Sequence, residues 1–250
     1  MTVTYSVLPT ATDVAEAAAE AFVRATRSAA AARGRAWVAL PGGRTPLPTF
    51  ELLASPQYGS RVPWDLVELY WADERAVGPD DELSNYRSAR EALLDRLPDL
   101  SGDHVHRMMA DTTDLTHGAL HYENVIRATV PAGPDGIPVF DLVWLGMGED
   151  GHTASLCPND VSLSVTDRLV VATWPAGYDT ARLTLTYPVL NAAREVLFVV
   201  TGAEKAATVA AVRAGADLPA AQVRAARTTW LLDAAAAGEA AAGVAVATPE

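Results

Sequence analysis

One loop holds the residue types that proton transfer needs. In Gly146-Met147-Gly148-Glu149-Asp150-Gly151-His152, an acid, a glycine and a histidine close a loop that follows the mostly apolar run VFDLVWLG. Histidine is the side chain most easily tuned to take and return a proton near neutral pH. A carboxylate two residues away can orient the imidazole and stabilise its charged form, and Gly151 between them permits a tight turn or a closely approaching ligand. His152 and Asp150 are therefore candidate catalytic residues, with Gly148 and Gly151 shaping their loop. A surface turn with an incidental histidine accounts for the same letters equally well.

The loop also spells G-x-G-x-x-G, the pattern of a dinucleotide cradle. That cradle sets a pyrophosphate against bare backbone N–H groups at a helix N-terminus. Glu149 and Asp150 would repel it, and the helix expected after Gly151 is short, because Pro158 interrupts it within about two turns. The stretch VVATW, where a ribose-binding acid should stand, contains none. Nicotinamide binding is not expected, and the proton chemistry requires no cofactor and no metal. The other histidines add nothing metal-like. His117 and His121 have the spacing of H-E-x-x-H but Gly118 in the glutamate's place, and His104 and His106 lack a third ligand.

A second stretch, VALPGGRTP, suits an anion. Gly42 and Gly43 bare backbone N–H groups, Thr45 offers a hydroxyl, and a helix is expected to open with Thr45 as N-cap and Pro46 at its first position. The spacing is not that of a triphosphate loop, so one phosphate is the better fit; a plain strand-to-helix turn reads the same way. Lys205, the single lysine beside 18 arginines, is expected in the first turn of a helix, where the dipole disfavours a cation unless an anion binds. Arg182 stands near a strand start and can reach such a site or simply face solvent. Asp73, Glu74 and Arg75 end another expected strand ahead of a long polar loop that holds Ser84 and Asn85.

The elements that must position these residues alternate. A helix is expected from Thr12 to Arg33, ended by Gly34, and strands at RAWVAL, DLVELYWA, VFDLVWLG, RLVVATW, ARLTLTY, EVLFVVTG and TTWLLDA. Helices fall between them at TPLPTFELLA, SNYRSAREALLDRL (Ser84 as cap), TDLTHGALHYENVIRATV and AEKAATVAAVRAG, with an Ala-rich surface helix and frayed tail after Asp233. VFDLVWLG, the most apolar strand, should be central. The pattern implies an α/β class fold with a mainly parallel central sheet flanked by helices, in one domain spanning residues 1–250.

Composition sets the outer bounds. The chain has 250 residues, a formal charge of −12 and a single cysteine, Cys157. That balance argues against a nucleic-acid partner, and no apolar run is long enough for a membrane span. With no basic, apolar leader at the N-terminus and no internal disulfide possible, a cytoplasmic protein is expected.

Taken together, LPGGRTP, WADERAVGPDDELSNYR, FDLVWLGMGEDGHTASLCP and RLTLTYPVLNAAREVLFVVTGAEKA resemble the glucosamine-6-phosphate isomerase/6-phosphogluconolactonase family on its lactonase side. The likeness runs from about Val38 to Lys205. It implies a Rossmann-like layered fold, of the sugar-phosphate isomerase/deaminase type, that binds no nucleotide. It also implies hydrolysis of 6-phospho-D-glucono-1,5-lactone in the oxidative pentose phosphate pathway by a monomer or small homo-oligomer. His152 matches the family's general base and Asp150 its orienting partner. Gly42, Gly43, Thr45, Arg182 and Lys205 match phosphate-holding positions, and Arg75 lies beside the lactone. Asp73, Ser84, Asn85, Gly148 and Gly151 complete the expected substrate-binding set. Arg44 is included too, at a position where the family also carries serine.

The deaminases of the same family continue from the histidine as I-A-F-N-E-P and carry Tyr after their Asp-Glu pair. Here Cys157 replaces that Glu and Arg75 that Tyr, so deamination is disfavoured. A non-catalytic sugar-phosphate sensor remains an alternative that retention of Asp150 and His152 makes less favoured.

Overall fold

The computed structural model describes residues 1–97 and 100–238. The strands are β1 (Thr2–Leu8), β2 (Ala36–Leu40), β3 (Val67–Trp71), β4 (Asp73–Arg75), β5 (Leu142–Leu145), β6 (Val170–Thr173), β7 (Arg182–Leu185), β8 (Glu195–Val200) and β9 (Arg227–Asp233). The helices are α1 (Ala11–Arg33), α2 (Leu47–Ala54), α3 (Pro56–Gly59), α4 (Asn85–Ala92), α5 (Leu115–Thr129), α6 (Tyr187–Ala192), α7 (Ala206–Arg213) and α8 (Ala234–Ala237).

Six strands form a central sheet in the order β1-β9-β8-β5-β2-β3, parallel at every pairing. The expected α/β architecture is therefore present. Strands β2, β3, β5 and β8 are buried at every position, as sheets covered on both faces require. Their continuous apolar runs reflect this, and β5 is central. Phe50 of α2 meets Trp144 of β5 edge-on at 5.3 Å, and Phe198 stacks on Trp230 at 3.9 Å. Helix α1 buries Val14, Ala18 and Phe22 at a spacing of four, the stripe that faces a core. Thr10 and Asp13 close its N-terminus as a capping box, and Gly34, at φ 79°, closes its C-terminus.

Five expectations change. Thr2–Leu8 is a strand outside the expected set; it pairs with β9 at the sheet edge, and its polar-apolar alternation suits one wet face. RLVVATW and ARLTLTY do form strands, but β6 and β7 join β4 in a separate antiparallel sheet, β4-β7-β6. Thr45 is not a helix cap: α2 begins at Leu47 with Pro46 in the cap position, because proline's fixed φ sits naturally at a helix start. No helix follows Gly151, where the chain makes turns and a bridge between Thr153 and Leu156. Lys205 ends a 3-10 turn, Ala203–Lys205, just before α7. The helix expected after Asp233 runs over Ala234–Ala237, and the rest of that tail lies outside the described residues.

Ala72 joins the two sheets. Its N–H donates to Leu40 O of the large sheet at 2.9 Å, and its carbonyl accepts from Leu185 N of the small one at 2.8 Å. In the parallel sheet the crossovers change direction between β2 and β5, and the C-terminal edge at that point is where open α/β folds hold ligands.

Candidate active site

A cleft of about 200 Å³ opens at that edge. Pro41, Gly42, Gly43 and Thr45 follow β2, Gly146 to Gly148 and His152 follow β5, and Lys205 follows β8; Asp73, Arg75 and Arg182 come from the small sheet. Three permanent cations thus face one carboxylate, in a chain of net charge −12. Trp144, Leu145, Met147 and Val199 supply an apolar floor.

The loop after β5 builds a histidine–carboxylate pair. Asp150 Oδ1 lies 2.6 Å from His152 Nδ1 and also accepts the His152 backbone N–H at 3.1 Å. Gly148 makes this possible: a Cβ there would run into His152 Nδ1 and Cε1. Gly148 N–H donates to His152 O at 2.9 Å, and Thr153 Oγ1 donates to Gly146 O at 2.9 Å, so the loop folds back on itself. Burial pushes the Asp150 carboxyl up. The His152 backbone N–H, charge and ring hydrogen bond outweigh it and hold the group below the usual carboxylate range. Asp150 and Gly151 stand behind the histidine rather than in the cleft lining.

The small sheet brings two arginines together. Arg75 and Arg182 are direct cross-strand partners in the β4–β7 register, where like charges repel. Arg182 is only 8% exposed. The Nε of each is buried without a partner. Arg75 Nη1 donates to Leu83 O at 2.6 Å, which steers its guanidinium. Asp73 is fixed from two sides, by Ser155 Oγ at 2.6 Å and Asn85 Nδ2 at 3.2 Å.

Ser84 and Asn85 are buried and do not line the cleft. Ser84 Oγ caps α4 by accepting Arg87 N–H at 3.1 Å. Asn85 braces Asp73 and fills the space a Cβ on Gly42 would need, so Gly42 lets the cradle sit against it. Arg44 is exposed and stands outside the lining. His117 and His121 are exposed, while His106 Nε2 lies 2.8 Å from Glu68 Oε2, in a pairing away from the cleft. Among the described residues no cluster of three or more His, Cys, Asp or Glu could hold a metal ion, and no helix is long and apolar enough to cross a membrane.

Two residues escape the sequence pattern. Glu74 accepts the backbone N–H groups of Arg75 and Asn85 on Oε1, each at 2.8 Å. On Oε2 it accepts Tyr86 N–H at 2.8 Å and the Ser84 hydroxyl at 3.1 Å. Burial pushes its carboxyl up against the pull of three backbone N–H groups. It locks β4 to the start of α4, a role its place in the Asp-Glu-Arg triplet could suggest only as charge. Tyr178, whose hydroxyl lies 3.1 Å from His152 Nδ1, has no local signal at all.

Known proteins resemble this chain in sequence and fold. Residues 9–231 match the family described as glucosamine-6-phosphate isomerases/6-phosphogluconolactonase. The 6-phosphogluconolactonase of a Nostoc species is 38% identical over 94% of this chain and 98% of its own. The crystal structure of 6-phosphogluconolactonase from Thermotoga maritima superposes with a TM-score of 0.81 at 30% identity, over 93% of this chain and all of that one. The three-dimensional structure of 6-phosphogluconolactonase from Trypanosoma brucei gives 0.84 at 28% identity, over 94% of this chain and 98% of that one. A family match over most of the chain, identity near 40% at almost full coverage and a shared fold lead to one conclusion: the chain belongs to the glucosamine-6-phosphate isomerase/6-phosphogluconolactonase family.

Proposed function

We propose that the chain hydrolyses 6-phospho-D-glucono-1,5-lactone to 6-phospho-D-gluconate, with His152 as general base. The observation that carries this is the shared cleft: a carboxylate-oriented imidazole on one wall and a set of cations sized for an anion on the others. The phosphate goes to Gly42, Gly43, Thr45, Arg182 and Lys205, and the lactone end to His152 and Arg75.

The chemistry follows from these positions. His152 Nε2 takes a proton from water as the water oxygen attacks C1. The oxyanion that forms draws on backbone N–H groups of the glycine loops and on Arg75. Its collapse breaks the bond from C1 to the ring oxygen, which receives the proton back from the imidazolium. The product carboxylic acid then loses its proton to solvent. Binding the phosphate far from C1 fixes the lactone for attack, so remote binding energy serves the reacting centre. In this reading residues 1–250 act as one cytoplasmic unit on a small-molecule substrate, in the oxidative pentose phosphate pathway.

The test is hydrolysis of freshly prepared lactone, corrected for its spontaneous opening. His152→Ala should lose nearly all of the enzymatic rate while remaining folded. Full activity in that variant would remove His152 as base, and ammonia release from glucosamine 6-phosphate by the wild type would favour deamination instead.

A further inference from the structure

We propose that Tyr178 is a positioning residue that holds the His152 imidazole in its working tautomer and couples it to the Arg182 guanidinium. The proposal rests on the function above, in which His152 is the base. Tyr178 lies between β6 and β7, 26 residues beyond His152. Its hydroxyl oxygen is 3.1 Å from His152 Nδ1, and its ring meets the imidazole edge-on, with centroids 5.8 Å apart and planes at 89°. The Arg182 guanidinium carbon lies 4.4 Å from the centroid of the same phenol ring. One side chain therefore touches the proton-transfer group and a buried cation of the cleft.

The distances determine where the protons are. Asp150 Oδ1 is 2.6 Å from Nδ1, and an ionised carboxylate offers only lone pairs. A bare Nδ1 would set lone pair against lone pair at that distance, so Nδ1 carries the hydrogen and Nε2 is free to accept. The Tyr178 oxygen then receives the same N–H as a second, longer branch, which a neutral phenol can do through its own lone pairs. Burial, followed by Asp150 and Cys157, pushes the phenol up, with Arg182 and Arg75 pulling it only partly back.

Two acceptors from two different elements restrain the ring more than either alone. A half-turn of the imidazole would take Nδ1–H away from both. Of the remaining charged groups of the cleft, Arg75 is the cross-strand neighbour of Arg182 and acts on the phenol with it, and Asp73 and Lys205 complete the lining. Aromatic-face contact also sets the plane of the Arg182 guanidinium, a cation–π arrangement.

Two variants separate the hydroxyl from the ring. Tyr178→Phe keeps the ring on Arg182 and removes only the oxygen. Its kcat for the lactone should fall about three- to tenfold, the loss of one modest hydrogen bond, with KM within about twofold. The His152 Nδ1–H proton resonance should move upfield and broaden. Tyr178→Leu removes both contacts, so kcat should fall at least as far and KM rise about two- to fivefold as Arg182 loses its stacked partner. A merely structural Tyr178 would change the folded fraction but leave kcat per folded molecule and the resonance untouched. That result in Tyr178→Phe overturns the proposal. The resonance is read without substrate. It therefore decides the Tyr178 contact even where the wild type fails to open the lactone, a failure that would remove the function proposed above.

Discussion

His152 can act as a base only through the nitrogen that Asp150 leaves free. Replacing Asp150 with Asn offers Nδ1 an amide that can donate as well as accept, so the imidazole can settle in the wrong tautomer. Asp150→Asn should lower kcat by about 10²- to 10⁴-fold with a much smaller change in KM. The same carboxylate carries a pH signature. Its folded-state pKa lies below the ordinary 3.8. The stability it contributes is therefore fully present above that value and is lost as pH falls through the folded one. Chemical denaturation of the wild type and Asp150→Asn at pH 6 and at successively lower pH should show the gap between them narrowing on acidification. A gap that widens would mean that Asp150 is not held ionised by His152.

At the scale of elements, the loop after β5 works because of a glycine that has no unusual backbone angle. Gly148 is needed for space alone: the His152 ring and the Asp150 carboxylate occupy the volume of its absent Cβ. Gly148→Ala should thus fold with little loss of stability yet displace the ring. A shift of about 1 Å at the reacting group can reduce kcat/KM by about a hundredfold. Thermal melting alongside kinetics checks this, and a variant as active as the wild type would show that the ring relocates freely. This loop was legible in the sequence, since an acid, a glycine and a histidine after the most apolar strand already imply the histidine–carboxylate pair that forms there. The helix expected behind it was not there, because Asp150, Thr153 and Leu156 satisfy their backbone partners through turns. The small sheet was also hidden. RLVVATW and ARLTLTY read as strands, but β4, which pairs with β7, is three residues long and lies more than a hundred residues from it, a pairing no local pattern encodes. Tyr178 belongs to that hidden part, and Ser84 and Asn85 prove to brace the cleft from beneath.

For the whole molecule, the cleft lies where two sheets meet, and a ligand that fills it should touch both. Gly42, Gly43, Thr45 and Lys205 belong to the parallel sheet's edge, Arg75 and Arg182 to the antiparallel one. The two arginines face each other in register with unpartnered Nε atoms, a repulsion that an anionic ligand in the cleft would relieve. Binding should accordingly stabilise the fold beyond the loops it contacts. A ligand at about 100 times its Kd adds about 2.7 kcal/mol, and chains of this size gain about 2–4 °C in Tm per kcal/mol. The product, 6-phospho-D-gluconate, should then raise Tm by about 5–10 °C at that saturation. In Arg182→Ala the repulsion is already gone and the bridge is cut, so the same concentration should give a markedly smaller rise on an unliganded Tm that has changed little. A wild-type Tm indifferent to the product would argue that the cleft does not hold it. An undiminished shift in Arg182→Ala would confine the ligand to the parallel sheet and assign the buried arginine to structure alone.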